Sequence, residues 1–118
     1  MRSRSLLLLL AAAVTVAGAC GGADHTVDVV STATTCDPAS TTLKSGKTAF
    51  KVRNQGHDVT ELYVMQGSKA LGEVEDIGAG TSRSLTVNLK PGSYELVCKP
   101  GQKGDGIKTA VTVSSSGS

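Results

Sequence analysis

Apolar and polar residues alternate with a period of two along most of the chain, in short runs broken by Gly, Pro, Asn and Asp. That is the pattern of half-buried strands joined by tight turns. Residues 25–33 (HTVDVVSTA) are dense in β-branched side chains and predict a first strand. Residues 34–39 predict a turn, because Asp37-Pro38 breaks regular pairing; 40–43 resume as a strand and 44–47 reverse the chain. Over 48–53, Thr48, Phe50 and Val52 share one face, with Ala49, Lys51 and Arg53 on the other. After a polar loop at 54–58, residues 59–65 place Leu62 and Val64 inward and Glu61 and Tyr63 outward. Gly67-Ser68 predicts a hairpin into 70–74, and strands follow at 81–89, 94–98 and 107–113, with Pro91-Gly92 as a turn. About eight short strands at near-regular spacing predict an all-β fold, an antiparallel Greek-key β-sandwich.

The first nineteen residues read differently. A short basic region containing Arg2 and Arg4 precedes an eleven-residue apolar run, 6–16, and then Ala17-Gly18-Ala19-Cys20. The run is too short to span a bilayer and suits a secretory signal helix, cleaved before Cys20. The Ala-Gly-Ala-Cys ending resembles the bacterial lipobox, which implies lipidation of Cys20, although Ala17 stands where that pattern has Leu or Val. Ordinary signal peptidase would cut the same bond. Residues 20–25, with Gly21-Gly22, are then a tether, 26–113 the domain and 114–118 a loose polar tail. The expected location is the outer face of a bacterial cell membrane, or the periplasm.

Composition narrows the function classes. Arg2 and Arg4 are two of twelve basic residues, so the remainder balances ten against ten acidic ones. With no Trp, one Phe and two Tyr, nothing suggests a basic, aromatic-studded nucleic-acid surface. No Ser/His/Asp or Cys/His grouping points to catalysis, and the chain is not expected to be an enzyme. Three cysteines are an odd number; lipidation of Cys20 leaves Cys36 and Cys98.

Residues 88–113 (NLKPGSYELVCKPGQKGDGIKTAVTV) run from a Pro-Gly turn through a strand ending in Cys98, then a Gly/Lys loop and a last strand. A blue-copper protein keeps its metal at such a place, with a histidine and a weak methionine ligand in the loop. Here residues 99–106 contain neither. Three phrases nevertheless resemble the cupredoxin superfamily: CDP with LKSGKTAF (36–38, 43–50), FKVRN with ELYV (50–54, 61–64), and LKPGSYELVC (89–98). Together with GEVEDIGAG (72–80) and Arg83-Ser84-Leu85, they are similar to the EfeO-type cupredoxin-like domain, part of a periplasmic component of bacterial iron uptake. The present chain is read as a stand-alone version.

This resemblance implies that Cys36 and Cys98 meet at one pole of the sandwich. Two outcomes stay open. In an oxidising compartment they form a disulfide, closing a long loop. Alternatively they are thiolate ligands of a metal site with Glu61, for which His57, Asp37 and Glu95 are candidate fourth ligands. Iron or copper is the implied cofactor, but no type 1 blue-copper centre is expected, since Thr60 occupies the first-histidine slot. Alternation sets Glu61 outward; a bulge would reconcile that with a ligand role. His57 also reads as a solvated loop histidine, and Lys99, Lys103 and Lys108 as a solvated loop or a docking face for an acidic partner. The implied function is an extracytoplasmic, lipid-anchored metal-binding module assisting uptake beside a metal permease or peroxidase-like partner. The alternative is a non-catalytic interaction domain with a Cys36–Cys98 disulfide and a vestigial metal site.

Overall fold

A computed structural model describes residues 22–116. The expected signal segment 1–19, the lipidation site Cys20 and residues 117–118 lie outside the described residues. Among the described residues nine strands form: β1 His25–Ser31, β2 Cys36–Pro38, β3 Thr42–Lys44, β4 Gly46–Asn54, β5 Thr60–Gln66, β6 Lys69–Ile77, β7 Ser82–Leu89, β8 Gly92–Cys98 and β9 Ile107–Ser114. They pack as two sheets, ordered β2-β1-β4-β7 and β3-β9-β8-β5-β6. The all-β sandwich is what alternation predicts, with two corrections. The expected turn at 34–39 contains the extra strand β2, which pairs Ser31 with Cys36. The sheets are mixed, not purely antiparallel: β1 runs parallel to β4 and β3 parallel to β9. Period-two patterning fixes which residues face inward, but it carries no information on strand direction.

Phe50, Val52, Leu62, Val64 and Leu96 are fully buried between the sheets. With one Phe and no Trp, the core is filled by aliphatic side chains at alternate positions, and Phe50 is its largest member. At β6, Gly72 faces Leu85 and Val87 of β7 so closely that a β-carbon there would lie 3.2 Å from both side chains. The missing side chain lets the two long outer strands of opposite sheets approach.

Three polar devices close the ends. Asn54 is 1 % exposed, and its amide donates to the carbonyls of Asp58 (2.7 Å) and Ile77 (2.8 Å) while its oxygen accepts from the Gly56 N–H (2.9 Å). One side chain thus joins the end of β4, the 54–58 loop and the end of β6. At the other end, the buried Tyr94 donates its hydroxyl to the Lys90 carbonyl across the Pro91-Gly92 turn, at 2.6 Å. There too Asp24 pairs with Lys47 (Asp24 N–H to Lys47 O, 2.7 Å; Lys47 N–H to the Asp24 carboxylate, 3.0 Å), and the Ser45 N–H reaches the Ser114 carbonyl. Asp24 and His25, expected in the tether, therefore belong to the domain, and both described chain ends leave it at the end opposite the cysteines.

Replacing Asn54 by Ala would strand several buried groups at once. Urea unfolding should show a loss of about 3 kcal/mol; a change smaller than ~1 kcal/mol would mean that water satisfies the freed carbonyls.

Candidate functional site

Strand β8 ends at Cys98, and β2 begins at Cys36. Their α-carbons stand 5.5 Å apart and the sulfurs are joined in a disulfide spanning 62 positions. Both residues are buried, at 1 % and 0 % exposure. Since β2 belongs to one sheet and β8 to the other, the bond ties the sheets together. Thr109 of β9 adds a second tie, its hydroxyl donating to the Cys36 carbonyl at 2.6 Å. The hydroxyls of Ser31, at the end of β1, and Thr60, at the start of β5, are buried against each other at 3.2 Å.

The loop after Cys98 is held down. The Lys99 N–H donates to the Glu61 carbonyl (2.9 Å) and the Gly101 N–H to the Val59 carbonyl (2.7 Å), laying the loop along the start of β5. A short 3-10 turn at Pro100–Gln102 follows, and the Gln102 side-chain oxygen accepts from the Asp76 N–H at 2.8 Å. Asp76 sits at φ 56°, where the β5–β6 register slips between the pairs Thr60–Ile77 and Leu62–Val74. That is a bulge on β6. Gly106 closes the loop at φ 80°, and a β-carbon there would lie 2.6 Å from Val97 and 2.9 Å from the Cys98 carbonyl. Only glycine fits.

The predicted site residues separate. Cys36 and Cys98 meet. Glu61 is 7 % exposed on the outer face of its sheet, beside Tyr63, while Leu62 and Val64 point into the core. His57 is exposed and borders a small cleft of about 70 Å³ with Asn54, Asp58 and Pro100. Asp37 is exposed, and Glu95 lines a groove of about 270 Å³ with Tyr63, Met65 and Val97. Among the described residues, no three His, Cys, Asp or Glu side chains gather closely enough to hold a metal ion. His25 is partly buried, with Nε2 3.1 Å from the Ser45 carbonyl.

A type 1 copper centre does not fit these residues. The Cys98 sulfur is committed to Cys36, Thr60 offers a hydroxyl in place of imidazole, and residues 99–106 supply neither His nor Met.

Alternation alone did not reveal the acidic ridge around Tyr63. Tyr63 pairs with Glu73 across the β5–β6 hairpin, with Glu61 and Glu75 nearby, and the Lys99 ammonium lies 4.6 Å from the ring centroid. Counting back from the Gly67-Ser68 turn would have paired Tyr63 with Gly72; the register shift between Val64 and Met65 moves its partner to Glu73. Hydrogen bonding to the Glu73 carboxylate, followed by burial and the Glu61 charge, pushes the Tyr63 phenol up to about 12. The adjacent Glu73 charge raises the Glu75 carboxyl above its ordinary range.

Comparison with known proteins follows this geometry. A family model described as a cupredoxin-like domain matches residues 5–113. The iron uptake system component EfeO of Escherichia coli strain K12 is 34 % identical over 98 residues, covering 82 % of this chain and 26 % of its own length. The EfeO of Shigella flexneri matches equally. The chain thus spans about a quarter of these relatives. Among solved structures, dithionite-reduced auracyanin from Roseiflexus castenholzii superposes with a TM-score of 0.58 at 14 % identity, covering 79 % of this chain and 99 % of its own. A multicopper oxidase gives 0.55 at 11 % identity, covering 79 % and 45 %.

Two measurements check the site. The unreduced protein should show no reactive thiol at Cys36 or Cys98, and reduction should lower its stability by about 4 kcal/mol, the chain-entropy value for a loop of this size. The phenol pKa raised on folding means that stability is present below the ordinary tyrosine range and is lost as pH rises through about 12. Phenolate absorbance, assigned by difference from a Tyr63→Phe variant, should titrate near 12 and move toward 10 in Glu73→Gln.

Proposed function

The chain belongs to the cupredoxin-like family, and from that premise we propose that it is an exported, non-catalytic accessory module of bacterial iron uptake, anchored through Cys20. It works by docking to another component of the system, a metal permease or a peroxidase-like protein, and not by resident copper chemistry. The observation that carries this reading is the buried Cys36–Cys98 disulfide, at the pole where the resemblance places a metal thiolate. A sulfur in a disulfide has no thiolate charge to offer a metal, so the oxidised state has exchanged a ligand for a cross-link. The iron-uptake assignment draws on the printed function of the relatives, of which this chain spans about a quarter.

A second reading is favoured by one distance. With α-carbons 5.5 Å apart, reduction would leave two sulfurs close enough to share a soft ion such as Cu(I) or Zn. Glu61, with its side chain beside Tyr63, would have to turn to join them, and His57 would have to leave its exposed loop.

Cellular iron uptake with a Cys36→Ala/Cys98→Val variant separates the two readings. Uptake should persist at temperatures where the variant remains folded by circular dichroism. Loss of uptake in the folded variant, together with equimolar metal on the reduced wild type, would establish the metal site and remove the docking reading.

A further inference from the structure

The charges of the domain are segregated along its length. Lys44 ends β3 and pairs with Ser114; Gly46, the next strand's first residue, pairs with Leu89, after which Lys90 begins the turn to β8. Gly92 ends that turn against Val113 and within van der Waals reach of the Gln66 side chain, and Gln66 pairs with Lys69 across the β5–β6 hairpin. The register therefore brings Lys44, Lys69 and Lys90 to one end of the sandwich, all three exposed. Lys47 lies among them, its backbone bonded to Asp24. Asp24 is the carboxylate at this end. Beyond it, the other nine carboxylates of residues 22–116 outnumber six cations along the strands and at the cysteine pole. A domain that is neutral in sum is thus a lysine-capped end on an acidic body.

The same end is where the N-terminal segment emerges, since Asp24 is fixed to Lys47. We propose that this lysine-capped end is a docking face for an anionic phospholipid surface. This rests on the reading that Cys20 is the anchor. A tether from Cys20 to Asp24 can span no more than about 14 Å, which keeps the cap close to the headgroups. A lipid on Cys20 holds the domain at the surface, and an electrostatic contact of the lysine cap sets how the domain lies there. Each lysine near a negative surface strengthens binding about fivefold at low salt. The acidic body is repelled by the same surface, so the domain stands upright with the Cys36–Cys98 pole pointing away from the membrane.

The test is co-sedimentation of the exported, signal-cleaved protein, with and without Cys20→Ser, on phosphatidylcholine vesicles with or without phosphatidylglycerol. Phosphatidylglycerol should strengthen binding in both forms, and the gain should fade as salt shortens the Debye length. The Lys44→Ala/Lys69→Ala/Lys90→Ala variant should lose roughly a hundredfold of that gain. A Lys51→Ala/Lys103→Ala/Lys108→Ala variant, with the same net charge, should retain most of it. Equal losses in the two variants, or no preference for phosphatidylglycerol, would overturn the proposal. Failure of the anchor reading looks different: wild type and Cys20→Ser would then bind neutral vesicles equally, whatever the anionic lipid does.

Discussion

The domain depends on how its two sheets are closed against each other at the cysteine pole. Most sandwiches rely there on side-chain packing, but this chain has little bulk to spend: one Phe, no Trp and a core of Val, Leu and Ile. The Cys36–Cys98 bond joins β2 of one sheet to β8 of the other and removes chain entropy from the unfolded ensemble. Without it, β2 would be a three-residue strand held by its short ladder to β1 and by the Thr109 hydroxyl. The clamp on the following loop has the same logic: the Lys99 and Gly101 N–H groups are satisfied by carbonyls of the chain at the start of β5.

Much of this was legible in the sequence. Alternation in 48–53 and 59–65 identified Phe50, Val52, Leu62 and Val64 as core, and turn chemistry located most strand breaks. The resemblance, not the periodicity, brought Cys36 and Cys98 together, because pairing between residues 62 positions apart leaves no local signature. Strand direction was illegible for a related reason: parallel and antiparallel neighbours demand the same inward faces. The turn expected at 34–39 failed because Asp37-Pro38 breaks a central strand but is tolerated at the edge of a sheet, where β2 lies.

Glu61 shows the limit most clearly. A family pattern marks it as a ligand, alternation marks it as outward, and a bulge was needed to reconcile the two. The bulge that forms, at Asp76, lies on β6, however, and Glu61 keeps its outward side, buried beside Tyr63. Local pattern gave its direction correctly. What local pattern could not give is its burial, which depends on neighbours distant in sequence.

The absent side chain at Gly72 bears on how a domain built almost wholly of strands avoids its own copies. A sandwich has four outer strands, each with unsatisfied backbone groups able to recruit a neighbouring molecule. Here the two long ones, β6 and β7, press against each other through Gly72, Leu85 and Val87, while the remaining two, β2 and β3, are three residues each. A stray β-segment finds little rail to extend, so a fold made almost wholly of strands can be crowded at a surface without fibrillar self-association.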